Sequence, residues 1–173
     1  MTTEPPRHSE AAEILGMLHN QRQLLRATAR GLSDAQGRER STVSELTIGG
    51  LLNHAATTER FWIDVFAERA EAFNFDPGQY VMPEGTTMAG LLDAYVKVEE
   101  DTARTVAELG GLDTMVPLPA FPWSAETQRW PRRRVLFHLL REIAHHCGHA
   151  DIIREAIDGA NTTAQMAQIQ AEG

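Results

Sequence analysis

Residues 138–155 read HLLREIAHHCGHADIIRE, a segment that sets a carboxylate, several imidazoles and one thiol among apolar positions at helical spacing. Glu142 and His146 are four residues apart, as are His145 and His149, so on a helix either pair projects from one face, one turn apart. His54 lies in a second amphipathic segment, TIGGLLNHAATTERFWIDVF. A glutamate is almost never fully buried unless paired, and a buried charge is costly unless compensated. A bound metal ion compensates several such groups at once. The inward stripe of the later segment runs Val135, Leu139, Glu142, His146, His149 and Ile153, apolar at both ends and titratable in the middle. One histidine on such a stripe is ordinarily a core residue satisfied by hydrogen bonds; a glutamate and two histidines together, with His54 also among core positions, point to a metal centre. Spacing leaves two registers open. His54 can join Glu142 and His146, or it can join His145 and His149, which point about 60° away around a helix of ~3.6 residues per turn.

The elements that must position these groups are readable from apolar periodicity. Ile14, Leu18, Leu24, Leu25 and Ala29 predict a helix from Ser9 to Arg30, ended by Gly31, and a polar connection follows. Thr47 caps a second helix carrying Ile48, Leu51, Leu52, Ala55, Trp62, Val65 and Phe66. The stretch NFDPGQYVMPEGT reads as a loop. A third helix begins near Thr86 or Thr87 and continues through Leu91, Tyr95, Val98, Thr102 and Val106 to Gly110. The segment 109–130 is long and irregular, with the character of a lid or site wall. Pro131 suits the first turn of a fourth helix that stops at Gly159. No segment alternates with period two. The expected fold is therefore all-α, an up-down four-helix bundle, as one domain over 1–173 with a mobile lead over 1–8 and a tail over 160–173.

Composition narrows the partners. A chain of 173 residues can bury about 68–70% of its unfolded surface. The formal net charge of −8 disfavours nucleic acid and anionic membranes, which reward a basic surface. One cysteine, Cys147, excludes an internal disulfide; with no apolar leader and no run approaching a membrane span, the expected location is the cytoplasm.

The motifs LTIGGLLNHAATTERFW and HLLREIAHHCGHADIIREAIDG, with their separation, resemble the DinB-like superfamily, and most nearly its actinobacterial branch related to mycothiol-dependent maleylpyruvate isomerase. The resemblance implies a four-helix bundle, often a homodimer, with a divalent metal held by a histidine on the second helix and two ligands on the fourth. Many members carry His-x-x-x-His there; the isomerase branch carries Glu-x-x-x-His, which Glu142 to His146 matches. Carried over by position, the ligands are His54, Glu142 and His146. His149 falls one turn further, where relatives often have Gln, beside the metal or facing substrate. Characterised members include S-transferases and isomerases that use mycothiol, bacillithiol or glutathione.

The expectation from this resemblance is a metal-dependent enzyme that uses a mycothiol-type thiol for S-transfer or isomerisation of a small electrophile. Zinc is the first choice of metal, and nickel, iron or manganese suit the same ligands. Three protein ligands leave open positions, and one carboxylate with two neutral imidazoles leaves a net positive charge that favours a thiolate. His149 is the candidate acid/base, its unperturbed pKa of about 6.5 suiting proton transfer. Arg129 and Arg133, in the basic run before the fourth helix, are candidate clamps for substrate carboxylates, with Trp123 as a pocket wall. The competing readings are a non-catalytic metal- or small-molecule-binding bundle and a metal-assisted hydrolase.

Overall fold

Three of the long helices begin at a side chain that caps them. Ser9 Oγ accepts from the Ala12 amide at 3.2 Å, Thr47 Oγ1 from Gly50 at 3.1 Å, and Thr87 Oγ1 from Gly90 at 3.0 Å. The computed structural model describes residues 9–70, 72–73, 76–121 and 128–166. Its elements are α1 (Glu10–Ala29), a single turn α2 (Asp34–Gly37), α3 (Ile48–Phe66), a 3-10 turn (Pro77–Tyr80), α4 (Met88–Leu109), β1 (Met115–Pro117), β2 (Arg129–Pro131) and α5 (Arg132–Asp158). Gly159, at φ 76°, ends α5 in the left-handed conformation that glycine adopts freely. The lead 1–8 and the tail beyond residue 166 lie outside the described residues. No helix among the described residues is long and apolar enough to cross a membrane.

The class is all-α, a bundle of four long helices with one small sheet. Around the bundle the order is α1, α5, α3, α4. Glu10 of α1 meets Arg133 at the start of α5, and the Thr28 carbonyl meets Arg154 near its end, so these two helices are parallel. Phe66, the last residue of α3, and Leu109, the last of α4, both accept from Arg132 at the start of α5. The directions are thus up, down, down, up. The parallel α3–α4 pair requires the chain to return the full length of α3, about 28 Å at 1.5 Å per residue. The 21 residues between Phe66 and Met88 make that return with length to spare.

Three segments hold more structure than periodicity revealed. The polar connection contains α2, closed by a reciprocal capping box between Ser33 and Gln36, too short to show a period. The irregular segment before α5 contains an antiparallel ribbon pairing Val116 with Trp130; strands of three residues with a proline each carry no alternation to read. The expected tail folds back as a helical turn over 162–166, where the Thr162 amide donates to Asp151 Oδ1 at 3.0 Å and Thr162 is buried.

Inside the apolar core lies a charged junction. Arg22 of α1 and Glu59 of α3 are 1% and 0% exposed, and they pair through both guanidinium and both carboxylate edges, Nε to Oε2 at 3.1 Å. Thr102 of α4 donates to the same carboxylate at 2.6 Å, and Glu99 of α4 takes Arg22, Arg26 and His19. Burial opposes the charge on Arg22, yet the Glu59 carboxylate outweighs it and raises the guanidinium pKa. This junction fixes three of the four helices in register. Removing one partner strands the other charge in the core, so Arg22→Leu should cost about 3–5 kcal/mol in urea unfolding. A loss below about 1 kcal/mol, the range of a surface pair, would show that the junction carries no such weight.

Candidate metal centre

The Gly49–Gly50 pair builds the first wall of the site. A Cβ on Gly50 would lie 2.0 Å from the Tyr80 carbonyl oxygen, and one on Gly49 would lie 2.8 Å from the Gly37 oxygen. Only bare backbone lets α2 and the 3-10 turn close on α3. Asn53 then pins that turn by donating from Nδ2 to the carbonyls of Gln79 and Val81, both at 3.1 Å. The pinned turn delivers two side chains to His54. Gln79 Oε1 lies 3.1 Å from His54 Nδ1, and the Tyr80 ring stacks on the imidazole at 4.2 Å and 20°. With Nδ1–H donating to the amide oxygen, Nε2 carries the lone pair; the Thr58 hydroxyl lies 3.2 Å from Nδ1 and 3.5 Å from Nε2.

His54, 4% exposed, faces α5, where its ring meets that of His146 edge-on at 4.5 Å. His146 Nε2 lies 3.9 Å from Glu142 Oε2. One donor atom from each of His54, Glu142 and His146 falls within 4.8 Å of the others. Donors sharing one ion with bonds of ~2.1 Å would stand about 3.4 Å apart, so a shared ion would draw these three closer together. His145, His146 and His149 form a second group within the same limit, so His146 belongs to both. The spacing left two registers open, and the structure joins His54 to the Glu142–His146 pair.

Electrostatics prepares the inner group for a cation. Burial, with neighbouring His54, pushes His146 down to about 4, and burial likewise lowers His54. Burial would raise Glu142, but the hydrogen bond from Arg141 and the nearness of His138 win and lower it. At neutral pH the set is therefore two neutral imidazoles and one carboxylate. Arg141 Nη2 donates to Glu142 Oε1 at 2.8 Å and to His138 Nδ1 at 2.9 Å. That leaves His138 as its Nε2–H tautomer, with Nε2 3.7 Å from Glu142 Oε1.

His54 and Glu142 open onto a cavity of about 560 Å³, within the range of small-molecule sites. Its far wall is aromatic. Trp62 and Trp130 are parallel at 5.3 Å, His138 meets Trp62 edge-on at 4.2 Å, and Phe121 lies 6.2 Å from Trp62. The ribbon places Trp130 there, and Arg134 covers its outer face at 4.2 Å. A second cavity of about 610 Å³ shares Thr58, Trp62, Phe73 and Gln79 with the first.

Other candidates stand elsewhere. His149 touches His146, Nδ1 to Nδ1 at 3.4 Å, and lines neither cavity. Arg133 is held at the end of the bundle by Glu10 and Asp113, and Arg129 donates to the Met115 carbonyl at 2.6 Å; among the described residues, neither lines either of these two cavities. Arg132 spans the carbonyl ends of α3 and α4, where a cation is favoured. Trp123 lies outside the described residues. Cys147 donates to the Gln21 carbonyl, and burial pushes its thiol up to about 12, which leaves it a packing residue. Sequence reasoning missed Gln79, Tyr80, His138 and Arg141. The last two lie in the motif itself, one turn before Glu142 and directly beside it, a spacing that was there to be used.

A model of the mycothiol-S-transferase family matches residues 13–159, a span that holds α3, α4 and α5, all but the first three residues of α1, and His54, Glu142 and His146. No curated protein and no solved structure matches the chain.

Two outcomes follow from this geometry. His146→Ala should abolish stoichiometric metal in elemental analysis of dialysed protein, whereas His145→Ala should retain it; the reverse pattern would assign the outer histidines as the principal ligands. Gly50→Ala should displace the 3-10 turn and withdraw Gln79 from His54, weakening metal affinity roughly 10–100-fold with helix content preserved by circular dichroism. Unchanged affinity would show that the turn does not support His54.

Proposed function

The chain belongs to the mycothiol-S-transferase family, and we propose that it transfers the sulfur of mycothiol to a small electrophile at a divalent-metal centre held by His54, Glu142 and His146. The observation that carries this reading is the convergence of three donors of suitable protonation state at the edge of an aromatic cavity. The residues fit such an ion on chemical grounds: two nitrogen donors held neutral, one carboxylate held ionised, and, among the described residues, no fourth protein donor grouped with the set. A divalent ion there supplies a net charge of about +1 beside the cavity, which favours the anion of a thiol over its neutral form.

The protein's own groups do the rest. Gln79 fixes the tautomer and rotation of His54, and Arg141 with His138 fixes the Glu142 carboxylate. Trp62, Trp130 and Phe121 offer ring faces to an apolar or aromatic electrophile. The thiol releases its proton to solvent, its sulfur lone pair forms the new S–C bond, and the leaving group departs with the bonding pair. His149 contacts His146 rather than the cavity, which supports a role in holding that imidazole over one in moving a proton on the substrate.

The test is a thiol-plus-electrophile assay on metal-depleted protein reloaded separately with zinc, nickel, iron or manganese. Mycothiol and an aromatic alkylating reagent are supplied, and the thioether is read by mass spectrometry. Turnover should need both metal and thiol, and His54→Ala should lower it roughly 100-fold or more. Turnover without thiol would favour hydrolysis, and unchanged turnover in His54→Ala would remove the proposed centre from the chemistry.

A further inference from the structure

His146 has two ring nitrogens, and the structure faces them toward different partners. Nε2 lies 3.9 Å from Glu142 Oε2, toward the inner group, while Nδ1 lies 3.4 Å from His149 Nδ1. Beyond His149 stands His145, one turn back along α5, its ring centroid 4.5 Å from that of His149 at 83°. One donor atom from each of His145, His146 and His149 lies within 4.8 Å of the others. Exposure falls steadily along the trio: His145 is exposed, His149 half-buried, and His146 only 7% exposed. Among the described residues no ion pair engages His145 or His149. Two histidines four apart on one helical face are a bidentate arrangement for zinc-like cations.

A neutral imidazole has one lone pair and one N–H. His146 therefore coordinates through Nε2 or through Nδ1, and the two groups that share it compete. Each choice leaves the other nitrogen facing a polar group. With Nε2 coordinating, the Nδ1–H points to the His149 lone pair at 3.4 Å; with Nδ1 coordinating, the Nε2–H faces the Glu142 carboxylate at 3.9 Å, an ion-pair rather than a hydrogen-bond distance. Either tautomer thus turns its N–H toward an acceptor, the carboxylate of Glu142 or the ring of His149.

We propose that His145, His149 and Nδ1 of His146 form an outer site for a divalent cation of the zinc class, through which the ion reaches the inner donors by exchange of the coordinating nitrogen of His146. The transfer rests on the inner centre proposed above; the outer site stands on its own geometry. His145 captures the ion from solvent, His149 and His146 draw it inward, and His54 with Glu142 completes the more enclosed set. The ion keeps its charge and redox state throughout, and one proton moves between the two nitrogens of His146 by way of solvent.

The experiment uses the full chain freed of metal, with Zn²⁺ alone as probe against a fluorescent competitor chelator. Wild type should take one equivalent, since the two sites share a ligand. Glu142→Gln and His54→Ala, which disable the inner set in two independent ways, should still take one equivalent roughly 100-fold more weakly. Adding His145→Ala to either should remove it. In stopped flow, the single His145→Ala variant should load roughly tenfold more slowly than wild type, yet reach the same stoichiometry and affinity. Residual binding that survives addition of His145→Ala would overturn the outer site. Equal loading rates would overturn the transfer while leaving the inner centre standing. Two tight equivalents in wild type would overturn the sharing of His146. Loss of the wild-type equivalent in His145→Ala alone, with His54→Ala unaffected, would overturn the inner centre and with it the transfer.

Discussion

Taking two imidazoles and a carboxylate out of water between α3 and α5 imposes the condition that the rest of this structure meets. Desolvation disfavours a positive charge on His54 and His146, and the structure keeps both neutral. It does not neutralise Glu142, because Arg141 and His138 stand against the carboxylate at the cavity edge. The result is a donor set with lone pairs available and one negative charge that a cation can satisfy. The same burial draws in supports: Gln79 for His54, His149 for His146, Arg141 for Glu142.

The core contains a second carboxylate with a different fate. Glu59, five residues after His54 on the same helix, is more deeply buried than Glu142 but meets a guanidinium and a hydroxyl. It is a structural charge, complete within the protein, whereas Glu142 has an open coordination side. A small cavity bordered by His54, Glu59, Glu142 and His146 separates them. The rigid junction and the adaptable donors are thus neighbours. The Arg22–Glu59 pair holds α3 in register against α1, and that register decides which face of α3 turns His54 toward α5.

The connections carry the chemistry that the helices alone lack. Because α3 and α4 run parallel, the chain between them must cross the length of the bundle, and on the way it lays the Gln79–Tyr80 turn over His54. Because α4 and α5 lie on opposite corners, the chain between them crosses the end of the bundle and leaves Trp130 parallel to Trp62. Long connections are commonly tolerated as inert spacers, but here the bundle order makes them the walls of the site.

Local chemistry settled what could be read in advance. Helix extents followed from apolar periodicity and from Thr47, Thr87 and Gly159 at the ends, because caps and left-handed glycines act within a few residues. The family resemblance rested on contiguous motifs, and the family match over 13–159 agrees with it. The joining of Glu142 and His146 to His54 needed the angular setting of α5 against α3, a property of packing between distant segments. The same holds for Arg22–Glu59, separated by 37 residues, whose members look like ordinary surface charges in the sequence. It holds for His149, whose place on the stripe was visible but whose neighbour, His146 rather than the cavity, was not. Arg132 shows the limit most clearly. A cation at a helix N-terminus reads as unfavourable until the carbonyl ends of α3 and α4 arrive beside it, and only the folded bundle brings them there.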